Sequence, residues 1–203
     1  MDLIHFNLPE LIKAIGYLGV AGIVFAESGL FIGFFLPGDS LLFTAGLLAS
    51  QGYLHITWLI AITFIAAVVG DNVGYAFGRR VGPRLFSRED SRLFHKDNLI
   101  KSQAFYDKHG PITVVLARFM PFVRTFAPIL AGVGKMRYQT FVVYNLLGGA
   151  LWTVGINLAG YYLGRAIPGV DRYLLPIVVL IVLVSVLPSG ISWLKGRRAA
   201  GSR

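Results

Sequence analysis

Cysteine is absent from all 203 residues, and with it go disulfide scaffolds, thiolate nucleophiles and cysteine-ligated zinc or iron–sulfur centres. Charge is scarce as well: Asp, Glu, Lys and Arg make up 14% of the chain, where a soluble domain carries about a quarter. Acids are the scarcer sign, ten against nineteen Lys and Arg, which leaves a net +9. The four histidines, His5, His55, His95 and His109, fall in termini, loops or interface, and none pairs with a carboxylate at the spacing of a metal-binding helix. No nucleophile elbow, phosphate-cradling loop or aspartate-rich metal run occurs either. Enzymatic chemistry, a bound metal and any other cofactor are therefore not expected.

What fills the chain is apolar: 55% hydrophobic residues, 24 Gly and 15 Phe, with a mean hydropathy of +0.66. That composition suits helices packed in lipid, where small residues let backbones approach closely. The positive excess then reads as membrane sidedness before it reads as affinity for nucleic acid. The basic stretch does contain Phe86, Phe94, Phe105 and Tyr106, but anionic lipid head groups explain it more simply than RNA does. No nucleic-acid partner is expected.

Along the chain, residues 1–16 begin without a basic leader, so no cleaved secretory signal is expected. Leu8, Leu11, Ile12 and Ile15 recur at helical spacing, which suggests an interfacial amphipathic helix whose side of the membrane is left open. Residues 17–203 form a single membrane domain. Its first apolar stretch, 17–50, is interrupted by Glu27, Gly29, Gly33 and Pro37-Gly38-Asp39. Non-helical backbone at membrane depth is tolerated only where protein or a wet cavity covers it, so this stretch is expected to be a re-entrant hairpin. A transmembrane helix follows at 56–78, then a basic cytoplasmic loop at 79–110. The stretch 111–134, broken by Arg118, Pro121, Arg124 and Pro128, is expected to be a second re-entrant hairpin. Spans at 140–164 and 173–194 lead to a cytoplasmic tail at 195–203 rich in Lys and Arg.

Residues 71–79, DNVGYAFGR, resemble residues 157–165, NLAGYYLGR, and Ala45-Gly46 recurs as Ala131-Gly132 at the same displacement. Each unit would hold one hairpin and one span, an odd number of crossings, so the two units would lie upside down relative to each other. Inverted repeats with broken helices are characteristic of secondary transporters. The expected fold is thus an all-α polytopic membrane protein. It has two oppositely oriented re-entrant helical hairpins in an inverted repeat, each followed by a transmembrane helix, plus an additional C-terminal transmembrane helix.

Glu27 and Asp39 fall in the first broken stretch, Arg118 and Arg124 in the second. An ionised side chain at bilayer depth costs roughly 2.5–3.5 kcal/mol on insertion scales, so four of them need a reason. One reason is a buried salt-bridge clamp, with the acids of one hairpin facing the arginines of the other and Glu27 set against Arg118 as the pair to test. Asp39 could also cap the helix that follows it. The other reason is chemistry: two guanidinium forks match the oxygens of a phosphate, which at membrane depth means a lipid phosphate. Burial disfavours the charged form of a carboxylate and a neighbouring arginine favours it, so substrate on the arginines would switch protonation of Glu27 and Asp39. Asp71, near the end of its span, is expected to support these four; snorkelling or a hydrogen bond to Tyr161 would also account for it.

These residues resemble the DedA family of bacterial inner-membrane proteins, which shares a membrane domain with eukaryotic lipid scramblases. The resemblance runs through Phe25-Ala26-Glu27, Leu36-Pro37-Gly38-Asp39, Gly70-Asp71 to Tyr75 and Gly78, residues 117–124 (ARFMPFVR), Ala131-Gly132, Asn145, Gly148 and Trp152. It implies opposed re-entrant hairpins in the inner membrane and transport of an anionic phospholipid or polyprenyl phosphate, foremost undecaprenyl phosphate, with protons as coupling ion. The family's important acids match Glu27 and Asp39 and its arginines match Arg118 and Arg124. Pro37, Gly38, Asp71, Tyr75, Pro121, Gly132, Asn145 and Trp152 take supporting roles. A general phospholipid scramblase and a membrane-organising or envelope-assembly factor are the alternatives, and a homo-oligomer is compatible with either.

Overall fold

The computed structural model describes residues 8–29, 38–85 and 110–166, and every regular element within them is an α-helix. In chain order these are α1 (Leu8–Gly29), α2 (Gly38–Ser50), α3 (Ile56–Leu85), α4 (Ile112–Ala117), α5 (Pro121–Val133) and α6 (Tyr138–Ala166). The expected hairpin turn at Pro37, residues 86–109 of the basic loop, the span at 173–194 and the tail at 195–203 lie outside the described residues. Helix α1 is interrupted at Gly16, whose φ of 62° and ψ of −154° are open in practice only to glycine. Helix α3 continues past Gly78 to Leu85, so the basic loop begins later than residue 79. Helices α4 and α5 are separated by Arg118, Phe119 and Met120 and pack against each other. Pro121, which has no N–H to satisfy, opens α5.

Helices α3 and α6 are long and apolar enough to cross a membrane, over Ile56–Val81 and Tyr138–Ala166. Their 26 and 29 residues exceed the roughly 20 needed to span the hydrocarbon core.

The chain divides into two compact units. Among the described residues, the first draws on 8–20, 38–59 and 156–166, the second on 21–29, 60–85 and 110–155. In the first, α2 lies on the late part of α6 so closely that Gly46 abuts the Asn157 carbonyl and Gly160 abuts the Phe43 carbonyl. A Cβ at either position would collide with backbone. In the second, α5 lies on the late part of α3, with Gly132 against the Tyr75 carbonyl and Gly78 against the Ile129 carbonyl. The second unit has a further close crossing, Gly29 of α1 against Gly70 of α3. Its core is Tyr75, Val114, Ala131 and Phe141, with the Tyr75 ring stacked on Phe141 at 4.4 Å between centroids.

Polarity is distributed the opposite way from a water-soluble protein. In the second unit Ile65, Val69, Val73 and Phe77 of α3 and Val143, Leu147 and Leu151 of α6 are exposed, while Glu27, Asp71, Arg118, Thr125 and Asn145 are buried. In the first, Leu18, Trp58, Tyr162 and Leu163 face out and Ser40, Thr44 and Asn157 face in. Large exposed apolar faces need an apolar surrounding.

Candidate functional site

Local backbone sets where the arginines reach. Arg118 is the residue that ends α4, its N–H bonded to Val115 O at 3.2 Å. Arg124 lies in the first turns of α5, its N–H bonded to Met120 O at 3.0 Å. Gly148 on α6 lets α4 come close, since a Cβ there would stand 3.2 Å from the Val115 Cα, with Arg118 in ordinary contact range. Arg118 Nη2 donates to Asp71 Oδ2 on α3 and to Asn145 Oδ1 on α6. Asn145 is oriented in turn by its Nδ2, which donates to the Val68 carbonyl at 3.2 Å. Arg124 Nη2 donates to Glu27 Oε1 on α1.

Trp152 of α6 joins the two pairs. Its ring centroid lies 5.9 Å from the Arg118 guanidinium carbon and 5.1 Å from that of Arg124, within reach of cation–π attraction to both. Trp152 is 2% exposed, and Glu27 and Arg118 are 2% and 4% exposed. Two carboxylates and two guanidiniums thus share one buried site around an indole, with formal charge balanced.

Expectation and geometry differ in the pairing. Glu27 was set against Arg118, but Arg118 meets Asp71 and Glu27 meets Arg124. The cause is that Arg118 leaves α4 toward α3 and α6, while Arg124, one helix on, faces α1. Asp71, expected as support, is therefore a direct partner, bonded to Arg118 rather than to Tyr161. Asp39 belongs to the first unit, in the first turn of α2 and half-buried, where a carboxylate complements the helix N-terminus from inside the helix. Gly38, before it, is buried. Among the supporting residues, Gly132 is a contact of the α5 on α3 seam. Tyr75 lies apart from the arginine pairs: its hydroxyl donates to the Met136 carbonyl at 2.5 Å and accepts from Arg79 Nη1 at 2.7 Å. Sequence reading missed this Tyr75–Arg79–Met136 cluster, although Tyr75 and Arg79, four apart on a helix, were bound to be neighbours. Among the described residues no three His, Asp or Glu side chains gather as they would around a metal ion.

Charge buried inside an apolar-faced helical body defines the class, a helical membrane protein with a buried polar site. Comparison with known proteins names the family. A model of the VTT domain matches residues 36–162, and protein DedA of Escherichia coli K12 is 44% identical over 215 residues, covering 98% of each chain. The chain belongs to this VTT domain, or DedA, family. An uncharacterised membrane protein of Mycobacterium leprae is 45% identical over 177 residues, covering 87% of this chain and 79% of that one. The inner membrane protein YghB of E. coli K12 is 32% identical over 169 residues, covering 81% and 74%. No solved structure matches.

Proposed function

We propose that the protein is a proton-coupled transporter that moves an anionic phosphorylated lipid, foremost undecaprenyl phosphate, between the leaflets of a bacterial inner membrane. The observation that carries this reading is the pair of buried arginine–carboxylate contacts gathered at Trp152. Buried ion pairs hold a fold together no better than apolar packing of the same volume, so stability alone is a weak reason for them. A lipid phosphate presents oxygens to a guanidinium fork as a carboxylate does, and it can take over Arg118 and Arg124. The displaced Asp71 and Glu27 would then be unpaired charges in an apolar body, and binding a proton removes that charge. Loading lipid phosphate and loading protons become one event, as do their releases. Trp152 keeps both guanidiniums within reach while their partners change. Asp39 acts as a further proton relay in this reading.

The layout that goes with it is two opposed re-entrant hairpins in an inverted repeat, each followed by a span, with a last span leading to a cytoplasmic tail. Its support is the recurrence of one glycine seam in both units and the positive charge of residues 79–108 and 195–203. Membership in a family with an inner membrane protein among its relatives supports the location.

The test is reconstitution of the full chain into liposomes with labelled undecaprenyl phosphate beside labelled glycerophospholipids. Selective flipping of the polyprenyl phosphate, quickened by a pH gradient, is the expected result. Indiscriminate flipping would make the protein a general scramblase. No flipping would leave an organising factor whose charges form a clamp.

A further inference from the structure

The end of α3 and the start of α6 border a cavity of about 750 Å³ that the buried pairs do not use. Among the described residues its lining includes Arg79, Arg80, Lys135 and Arg137, with Asn72 and Tyr75, and no acid. None of the four cations forms an ion pair with a described residue. Four like charges around one hollow repel one another and concentrate anions there.

Three details show how the cavity is built. Arg79 is held by its bond to the Tyr75 hydroxyl at 2.7 Å, which is itself bonded to the Met136 carbonyl. Asn72, also in the lining, donates through Nδ2 to the Val68 carbonyl at 2.7 Å, which fixes its side chain against α3. Lys135 has a φ of 55°, the left-handed region. It occupies the position after the α5 terminus where Met136 N–H reaches back to Ala131 O at 3.0 Å, a place glycine ordinarily takes. Helix α2 ends in the same motif with Gly52 there, at φ 82°. A lysine in this conformation is strained, and what it adds is charge at the cavity.

Along α3 the exposed residues Val69, Val73, Ala76 and Arg80 follow at spacings of four, three and four, which places them in one outward strip. The strip is apolar until it enters the cavity at Ala76 and Arg80. A free phosphate would use the hollow alone, whereas a lipid would also lay its acyl chains on the strip.

We propose that this cavity binds the phosphate head group of an anionic lipid, with its chains along Val69 and Val73, as a site separate from the Asp71–Arg118 and Glu27–Arg124 pairs. Binding there holds whether or not the lipid is moved. The test is therefore an equilibrium one, and its failure and that of the transport reading are distinguishable.

Native mass spectrometry of the detergent-solubilised full chain, titrated with dioctanoyl phosphatidic acid, reads the site directly. Arg80→Gln with Arg137→Gln should weaken binding about tenfold or more, at about 1 kcal/mol for each basic residue near a lipid phosphate. Lys135→Gly should weaken binding while raising the thermal midpoint, because it removes strain and charge together; a variant that merely misfolds would lower that midpoint. Arg165→Gln removes a described cation that does not line the cavity and should leave binding within about twofold. Equal weakening by that control, or unchanged binding in the Arg80 and Arg137 variant, would overturn the site. Inorganic phosphate competing as well as the lipid at equal concentration would overturn the lipid assignment in favour of a soluble anion.

Discussion

Where α2 meets α6, Gly46 faces the Asn157 carbonyl and Gly160, three residues on, faces that of Phe43; where α5 meets α3, Gly132 faces the Tyr75 carbonyl and Gly78, again three residues on, faces that of Ile129. The interlock is the same, glycine to carbonyl in both directions. The load each carries is not. Among the described residues, the buried polar groups beside the first seam are Ser40, Thr44 and Asn157, all neutral, while the unit of the second buries Glu27, Asp71, Arg118 and, largely, Arg124. One of two matching seams thus packs closely with no buried charge among the described residues. The ion pairs call for another explanation, and lipid phosphate with protons supplies one.

The largest effect should come from stranding a charge. Arg118→Leu leaves Asp71 buried without its guanidinium and should lower stability by about 3–5 kcal/mol, read by chemical denaturation of the purified protein. Combining Asp71→Asn with Arg118→Gln should recover much of that loss. Glu27→Gln and Arg118→Gln, by contrast, share no hydrogen bond and should couple far more weakly in a double-mutant cycle than Asp71 with Arg118. Strong coupling between Glu27 and Arg118 would contradict the pairing.

The seams can be compared directly by adding one methyl group to each. Gly46→Ala and Gly132→Ala both drive a Cβ into a neighbouring carbonyl, and each should cost about 1–3 kcal/mol. Matching seams should lose similar amounts. Gly155→Ala, in the same helix as Asn157 but with nothing within 4 Å, should gain up to about 1 kcal/mol from helix propensity. Unequal losses at the two seams would show that the likeness stops at geometry.

The smallest effect, and the only one of opposite sign in the two units, concerns the helix ends. Gly52→Ala puts a side chain into the left-handed region and should lose about 1 kcal/mol, whereas Lys135→Gly removes one and should gain a similar amount. Thermal unfolding of both variants checks the signs.

The cost of charge at depth was enough to find Glu27, Arg118 and Arg124 from sequence, because an apolar chain makes each charge conspicuous. It could not say which acid meets which arginine. That depends on the direction in which Arg118 leaves α4, and on how closely α4 approaches α6 at Gly148. Asp71 was visible by the same rule, inside an apolar span, yet its partner lies 47 residues away. The recurrence of glycines was visible too, but one turn off the observed contacts on the long helices. The text match aligns Gly160 with Gly74, whereas the contacts align it with Gly78. Glycines recurring every fourth residue make a shift of one turn almost invisible to pattern matching. Lys135 had no signal, since nothing in a lysine marks a left-handed position.

Whether the buried pairs are machinery or clamp is decided by the Asp71→Asn and Arg118→Gln double variant in liposomes. It removes both charges, so the protein should remain folded and monodisperse. The expected result is loss of pH-driven flipping of undecaprenyl phosphate by at least about 100-fold, since two fewer charged groups remain to hold a phosphate or carry a proton, a change of about 2.7 kcal/mol. A folded double variant that flips the lipid at near the parent rate would contradict the transport role of the site.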